Sequence, residues 1–158
     1  KTITNSGTAV GFGGANTPAF NVWKNTNQSI TTNTDTKVTF SDEEFDTNNN
    51  FASSTFTPTV AGYYQINASA NFSNTAVSSE RVTVYIYKNG SQYKRASWNG
   101  TSSTTPLNDA TLCVSTTVYM NGSTDYLEVY GRETAGGTPE VTGGSNKQTH
   151  FSGFKLIE

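Results

Sequence analysis

Apolar and polar residues alternate along most of the chain, in short runs separated by turn residues. The clearest run covers residues 62–72, where the residues that share one face are Tyr64, Ile66, Ala68, Ala70 and Phe72. A period of two is typical of a strand with one face in a core and the other outside it. No window has the 3.6-residue period of an amphipathic helix, so the pattern predicts an all-β domain.

Seven further runs predict strands, at residues 19–24, 37–40, 81–88, 91–98, 110–120, 125–132 and 150–157. Asn89-Gly90 predicts a tight type I′ hairpin turn, and Asn121-Gly122 predicts a second turn. The polar stretches 42–50, 99–109 and 134–147 are expected to be turns or loops, with Phe45 anchoring the first. Eight to ten strands at this spacing fit a sandwich, a barrel or a jelly roll.

Length and composition narrow the possible classes of protein. The 158 residues suit one domain, which we place at residues 18–158, after a glycine-rich linker or stalk at residues 1–17. The net charge of −2, with ten scattered basic residues, argues against nucleic-acid binding. No apolar run is long enough to insert into a membrane. The single cysteine, Cys113, excludes an intrachain disulfide. Because the start lacks Met and a signal-peptide pattern, we expect a longer parent protein.

Five short motifs occur in order along residues 18–158. They are Ala19-Phe20, then Phe56-Thr57-Pro58 with Ala61-Gly62-Tyr63-Tyr64-Gln65-Ile66, then Tyr87-Lys88-Asn89-Gly90, then Gly122 and Asp125 before Leu127 and Val129, and finally Phe151-Ser152-Gly153-Phe154. Together they resemble the signature of the complement component 1q globular-head family, which shares its fold with tumour-necrosis-factor-like cytokines. The resemblance implies a ten-stranded jelly-roll sandwich of two antiparallel sheets that assembles as a compact homotrimer. The Asn-, Thr- and Gly-rich style is similar to this domain at fibre tips or appendages of bacterial viruses.

Six tyrosines are predicted on strand faces opposite the aliphatic core: Tyr63, Tyr85, Tyr87, Tyr119, Tyr126 and Tyr130. So many aromatic rings on outward faces need cover, and a symmetric trimer interface would supply it. The alternative is that they are separate surface tyrosines, since isolated exposed apolar groups are normal.

The polar loops at residues 99–109 and 134–147 are the expected contact surfaces, because loops on a rigid scaffold often carry binding. The candidate ligand-binding residues in or beside them are Trp98, Asn99, Asn108, Asp109, Arg132 and Glu133. Their stacking and hydrogen-bonding groups suit a carbohydrate or a protein partner. Each of these residues is equally compatible with a simple connecting loop.

One acidic cluster offers carboxylates to a hard cation, and its members are Asp42, Glu43, Glu44 and Asp46. Ca²⁺ could bridge such groups, although the spacing matches no EF-hand loop and a solvated turn is the simpler interpretation. His150, the single histidine, has no neighbouring nucleophile motif. Cys113 is expected to be a half-buried, inert thiol. We therefore expect no cofactor and no enzymatic activity.

Five N-glycosylation sequons occur, at Asn27, Asn67, Asn71, Asn99 and Asn121. Asn67 and Asn71 lie on the face expected at the trimer interface, where a glycan would block assembly. This placement favours a host that does not glycosylate these sites.

The first hypothesis is a homotrimeric attachment domain of a phage fibre or appendage on the virion surface. Its loops would meet a glycan or protein of the host surface, and three weak sites would gain avidity. The alternatives are a structural trimerisation tip without a ligand, a secreted recognition or signalling domain of the complement type, and, least favoured, an enzyme.

Overall fold

The computed structural model describes residues 16–75, 81–100, 109–134 and 136–157, which form strands and no helix. The strands are β1 (Ala19–Trp23), β2 (Gln28–Ser29), β3 (Thr36–Lys37), β4 (Asp42–Asp46), β5 (Phe51–Ala52), β6 (Thr55–Phe56), β7 (Gly62–Thr75), β8 (Arg81–Lys88), β9 (Ser91–Asn99), β10 (Ala110–Met120), β11 (Leu127–Glu133), β12 (Gly137–Val141) and β13 (His150–Ile157). No helix capable of spanning a lipid bilayer occurs in this part of the chain.

Two antiparallel sheets form a sandwich, as expected of a jelly roll. In sheet A, β10 lies along one side of β7, while β13 and β12 follow one another along the other side. Strands β1 and β4 extend this sheet beyond β13, and β2 pairs with β12. Sheet B has the order β5-β6-β11-β8-β9, with β3 also beside β11. Strand β7 therefore positions most of sheet A.

The inner faces of the two sheets carry the core that the alternation predicts. All five predicted inward residues of β7 are at most 1% exposed. Phe20 lies at the centre of an aromatic cluster: its ring centroid is 4.2 Å from that of Phe56 and 4.8 Å from that of Phe151. Such pairs contribute about 0.5–1.5 kcal/mol each beyond the burial of their area.

The predicted turn at residues 89–90 is confirmed, and one glycine of the last strand has a clear packing role. Asn89 and Gly90 have φ angles of 53° and 76°, the two positive values that a type I′ turn requires. The glycine of the closing motif, Gly153, lies against β7 with no room for a side chain. A Cβ there would come within 2.5 Å of the Ile66 side chain and 3.1 Å of the Gln65 carbonyl oxygen.

Two stretches predicted as loops contain strands instead. Asp42–Asp46 pairs with β1 across a bulge, and Gly137–Val141 pairs with β7 and β2. Both predictions were wrong because these polar strands have the composition of turns and gain their partners from far along the chain. Phe45, expected to anchor the first stretch, is 46% exposed. The run at residues 37–40 forms a strand only at Thr36–Lys37.

The expected count of ten strands is not confirmed, since thirteen segments have strand geometry among the described residues. Four of them, β2, β3, β5 and β6, are two residues long. Of the expected linker at residues 1–17, only Asn16 and Thr17 fall among the described residues.

Candidate binding surfaces

The outer face of sheet A carries a row of large apolar side chains at one end, which we call the tyrosine row: Tyr119, Tyr63 and Ile157. They come from three adjacent strands, because Tyr63 of β7 pairs with Tyr119 on one side and Ile157 on the other. A bulge after Lys155 returns Ile157 to this face. The exposed fractions are 47%, 44% and 64%, and the two tyrosine rings meet edge to face at 5.4 Å. This is a contiguous apolar strip open to solvent within one chain.

Three other predicted interface tyrosines form a cluster on the outer face of sheet B, which we call the tyrosine stack: Tyr85, Tyr87 and Tyr130. The rings of Tyr87 and Tyr130 stack with centroids 4.1 Å apart, and Tyr85 meets Tyr87 edge to face at 5.9 Å. Tyr85 is only 4% exposed, and the other two are half-buried. One chain thus already covers most of these rings.

Asp35, in the segment before β3, is hydrogen-bonded to the tyrosine stack. Its carboxylate accepts hydrogen bonds from the Tyr87 hydroxyl, from Gln92 Nε2 at 2.9 Å and from Arg132 at 3.3 Å. Because these groups satisfy one another, the stack has little need of a second subunit. The sixth tyrosine, Tyr126, is half-buried beside the 89–90 hairpin, where its N–H donates to Asn89 Oδ1 at 2.9 Å.

Two ionisable groups in and beside the tyrosine stack, Tyr87 and Glu128, have pKa values shifted by burial and by their hydrogen-bond partners. Burial, with the hydrogen bond to Asp35, raises the pKa of Tyr87 to about 12, so the phenol stays neutral and donates. Burial acts to raise the pKa of Glu128. The hydrogen bond and charge of Lys37, 2.7 Å away, outweigh the effect of burial, with help from Thr55, so the pKa of Glu128 lies below its usual value. Neither group is poised for proton transfer near neutral pH.

A second feature of the outer face of sheet A is a cavity of about 290 Å³, which we call the tryptophan pocket. Its lining residues are Asn21, Trp23, Lys147, His150 and Ser152. The pairing of β1 with β13 builds it, because Asn21 lies opposite Ser152 and Trp23 opposite His150. Ser152 and His150 pair with Asn67 and Ser69 of β7, which are four and six residues from Tyr63. The pocket therefore lies about 13–20 Å along the strands from the tyrosine row.

Lys147 is held at the mouth of this pocket by several contacts. Its ammonium lies 3.9 Å from the centroid of the Trp23 ring and 2.6 Å from the Glu44 carboxylate. Its backbone has a φ of 53°, in a turn closed by the hydrogen bond from its N–H to the Gly144 carbonyl at 3.0 Å. His150 Nδ1 lies 3.2 Å from the Lys147 carbonyl oxygen. A positive charge is therefore fixed over an aromatic ring.

The structure brings together only part of the predicted loop site. Trp98 and Glu133 flank Val82 on opposite sides, and Asn99 accepts a hydrogen bond from Arg81 at 2.9 Å. Trp98 is 42% exposed and stays available to a partner. Arg132 is held by Asp35 on the outer face of sheet B, as described above.

The expectation that Glu133 meets a ligand at the surface is wrong. Its carboxylate is fully buried on the inner side of β11, where Gly136 N–H donates to it at 3.0 Å and the Thr32 hydroxyl at 3.2 Å. Asp109 directly precedes β10 and accepts a hydrogen bond from Asn71 of β7 at 2.8 Å. Asn108 lies outside the described residues.

The acidic cluster is part of a strand and does not converge. Glu44 pairs with Lys147, while Asp46 accepts the N–H of Phe51 at 2.7 Å. Asp42 and Glu43 line a shallow cavity of about 180 Å³. Across the described ranges, no three His, Cys, Asp or Glu side chains are grouped so that they could hold a metal ion.

Two further expectations about the outer face of sheet A change with the structure. Cys113 is exposed, and not half-buried, because it faces outward between the inward Leu112 and Val114. Asn71 is 1% exposed and hydrogen-bonded within the chain, so its sequon has no free amide at a subunit interface. Sequence analysis missed the tryptophan pocket, since its residues come from both ends of the chain.

Comparisons with known proteins place the chain in a fold class. No protein-family model matches it, and no curated protein does. Among solved structures, it is similar to Eiger TNF from S. frugiperda, with 11% sequence identity, a TM-score of 0.66, and coverage of 89% of this chain and 92% of that one. The chain therefore has a TNF-like jelly-roll fold. At this identity the likeness concerns the fold alone.

Proposed function

We propose that this chain is a non-enzymatic binding domain that assembles as a homotrimer and serves as an attachment domain on a virion surface. The observation that supports the proposal best is the tyrosine row. Three large side chains from adjacent strands lie 44–64% exposed and side by side on one face of the sheet. A contiguous apolar strip on a folded domain marks an interaction surface.

The chemistry of the row suits a contact between copies of the chain. Tyrosine is enriched at protein interfaces because its ring is apolar and its hydroxyl can remain at the wet rim. Next to the row, the polar side chains of sheet A bond one another: Gln65 reaches Ser115 at 2.7 Å and Thr117 at 3.2 Å. These polar groups can enter an interface without leaving unpaired donors.

The binding role rests on the opposite end of the sandwich. Trp98 is exposed there at the end of β9, beside the polar segment that connects β9 to β10. The tryptophan pocket lies four to six residues along the strands from the tyrosine row. A glycan or protein of the host surface is the partner that these aromatic and polar groups fit best.

Light scattering after size-exclusion chromatography tests the assembly. We expect a mass of about 51 kDa, three times that of the 17.0 kDa chain. Replacing Tyr63 and Tyr119 together by Ser should give monomers. Tyr93→Ser is the matched control, since Tyr93 is 46% exposed on strand β9 of sheet B, and this variant should stay trimeric. A monomeric wild-type chain would overturn the proposal.

Binding of the trimer to a glycan array and to whole host cells tests the attachment role. We expect binding that weakens when Trp98 or the tryptophan pocket is altered. A trimer that binds neither glycans nor cells would instead indicate a structural trimerisation tip.

A further inference from the structure

From the tryptophan pocket we infer that this domain binds the carboxylate of an acidic saccharide. The inference deepens the proposed glycan recognition and rests on it for the class of ligand. The cavity of about 290 Å³ is at the small end of the range for small-molecule pockets, about 300–1,000 Å³. It therefore suits one sugar ring at the end of a chain rather than a long groove-bound oligomer.

The pocket has polar groups with unused hydrogen-bonding capacity. Asn21 and Ser152 both face it, and neither side chain forms a hydrogen bond to any other described residue. His150 uses Nδ1 toward the Lys147 carbonyl oxygen, which leaves its Nε2 for a ligand. An amide, a hydroxyl and an imidazole around one aromatic ring are suited to the hydroxyl groups of a sugar.

The charge of the pocket selects an acidic sugar over a neutral one. The Lys147 ammonium covers one face of the Trp23 ring at 3.9 Å, so a neutral sugar cannot stack on that face without displacing it. A sugar carboxylate would instead bind the ammonium directly. Glu44 is the present partner, but both side chains of this pair are more than 40% exposed. Such an exposed pair exchanges readily for a ligand carboxylate.

The position of the pocket is compatible with the proposed trimer. It lies about 13–20 Å along the strands from the tyrosine row. The test does not depend on assembly, since all five lining residues belong to one chain.

Calorimetry and saturation-transfer NMR with 3′-sialyllactose and tri-galacturonic acid, against lactose, test the inference. We expect at least one acidic probe to bind and lactose not to bind. Lys147→Gln and Trp23→Ala should weaken binding about tenfold or more, as expected for loss of a charged hydrogen bond or of the ring that positions it. Lys147→Arg should retain most of the affinity.

Matched controls keep the result specific to the pocket. Tyr93→Ala removes another half-exposed aromatic ring, and Lys94→Gln removes another exposed lysine, both from sheet B. Both should bind within about twofold of the wild type. Thermal unfolding of every variant excludes misfolding as the cause of a loss.

Three results would overturn the inference: no binding of either acidic probe, equal binding of lactose, or unchanged affinity in Lys147→Gln and Trp23→Ala. Failure of the proposed trimer is recognised separately. A monomer that binds acidic sugar through Trp23 contradicts the assembly alone. A trimer that binds host cells or other glycans, but neither acidic probe, contradicts the pocket alone.

Discussion

Asn71 offers the sharpest test of how the outer face of sheet A is held together. Its side chain is 1% exposed and joins three segments: Nδ2 donates to Asp109 at 2.8 Å and to the Thr111 hydroxyl at 2.9 Å, while Oδ1 accepts from the Thr142 hydroxyl. At about 0.5–1.5 kcal/mol each, the loss of three hydrogen bonds in Asn71→Ala should lower the free energy of unfolding by about 2–4 kcal/mol. For a domain of this size, Tm should fall by roughly 5–15 °C.

Asn67→Ala is the matched control, because Asn67 lies on the same face of β7, four residues earlier. Asn67 is half-buried and accepts hydrogen bonds from Ser115 at 2.9 Å and Gln65 at 3.4 Å, partners that also bond each other. Its removal should cost less than about 1 kcal/mol.

Urea unfolding and calorimetry, at one fixed protein concentration, measure both differences. A third variant, Asn71→Asp, should cost at least as much as Asn71→Ala at neutral pH, because a carboxylate would then face the Asp109 carboxylate. The reasoning is refuted if Asn71→Ala stays within about 0.5 kcal/mol of wild type, or if it costs no more than Asn67→Ala.

Three further perturbations follow from particular residues. Burial raises the pKa of Tyr64 to about 12, so its neutral form stabilises the fold fully below pH 10, and this stability is lost as pH rises from 10 to 12. The loss is about 2 kcal/mol at pH 12, and urea midpoints across this range should fall more steeply for wild type than for Tyr64→Phe. Gly122→Ala should cost more than about 2 kcal/mol, since φ is +71° and a Cβ would lie 2.3 Å from Ala61 N. At Gly136, φ is +96° and an added Cβ would have no atom within 4 Å, so Gly136→Ala should cost about 1–2 kcal/mol in the same unfolding assay. An equal cost at Gly122 and Gly136 would contradict the steric argument. Ser53→Asn should raise the free energy of unfolding by about 0.5 kcal/mol in calorimetry. The reason is that exposed Ser53 has a φ of 50° at a position of a type I′ turn that favours Asn. A lower Tm for this variant would contradict the argument.

The sequence was sufficient to predict what depends on local alternation. The inward residues of β7 and β8, the 89–90 hairpin and the last strand follow from a period of two and from turn chemistry. Strands β4 and β12 were missed because their stability comes from pairing with distant partners, and their polar, edge-like composition resembles that of loops.

The tyrosines show a second limit of prediction from sequence. Alternation places Tyr85, Tyr87 and Tyr130 correctly on an outer face, but it does not tell what lies over that face. Asp35, which is 52 residues from Tyr87 in sequence, lies at that face and accepts a hydrogen bond from the Tyr87 hydroxyl. Of the six predicted tyrosines, Tyr63 and Tyr119 are the two that keep nearly half of their surface exposed. The predicted trimer interface is therefore reduced from six tyrosines to the two in the tyrosine row, Tyr63 and Tyr119.

The tyrosine row and the tryptophan pocket lie apart on sheet A, and this separation affects how a trimer would bind a ligand. A three-fold axis brings equivalent points of the three subunits to the same height, so a trimer closed around the tyrosine row would present three tryptophan pockets at one end. A single pocket of about 290 Å³ with one fixed ammonium suits only weak binding of a terminal sugar. Three pockets facing one surface would raise the overall affinity by a factor of about 10²–10⁴ without any new contact. Assembly at one end of the sheet would thus make recognition at the other end effective.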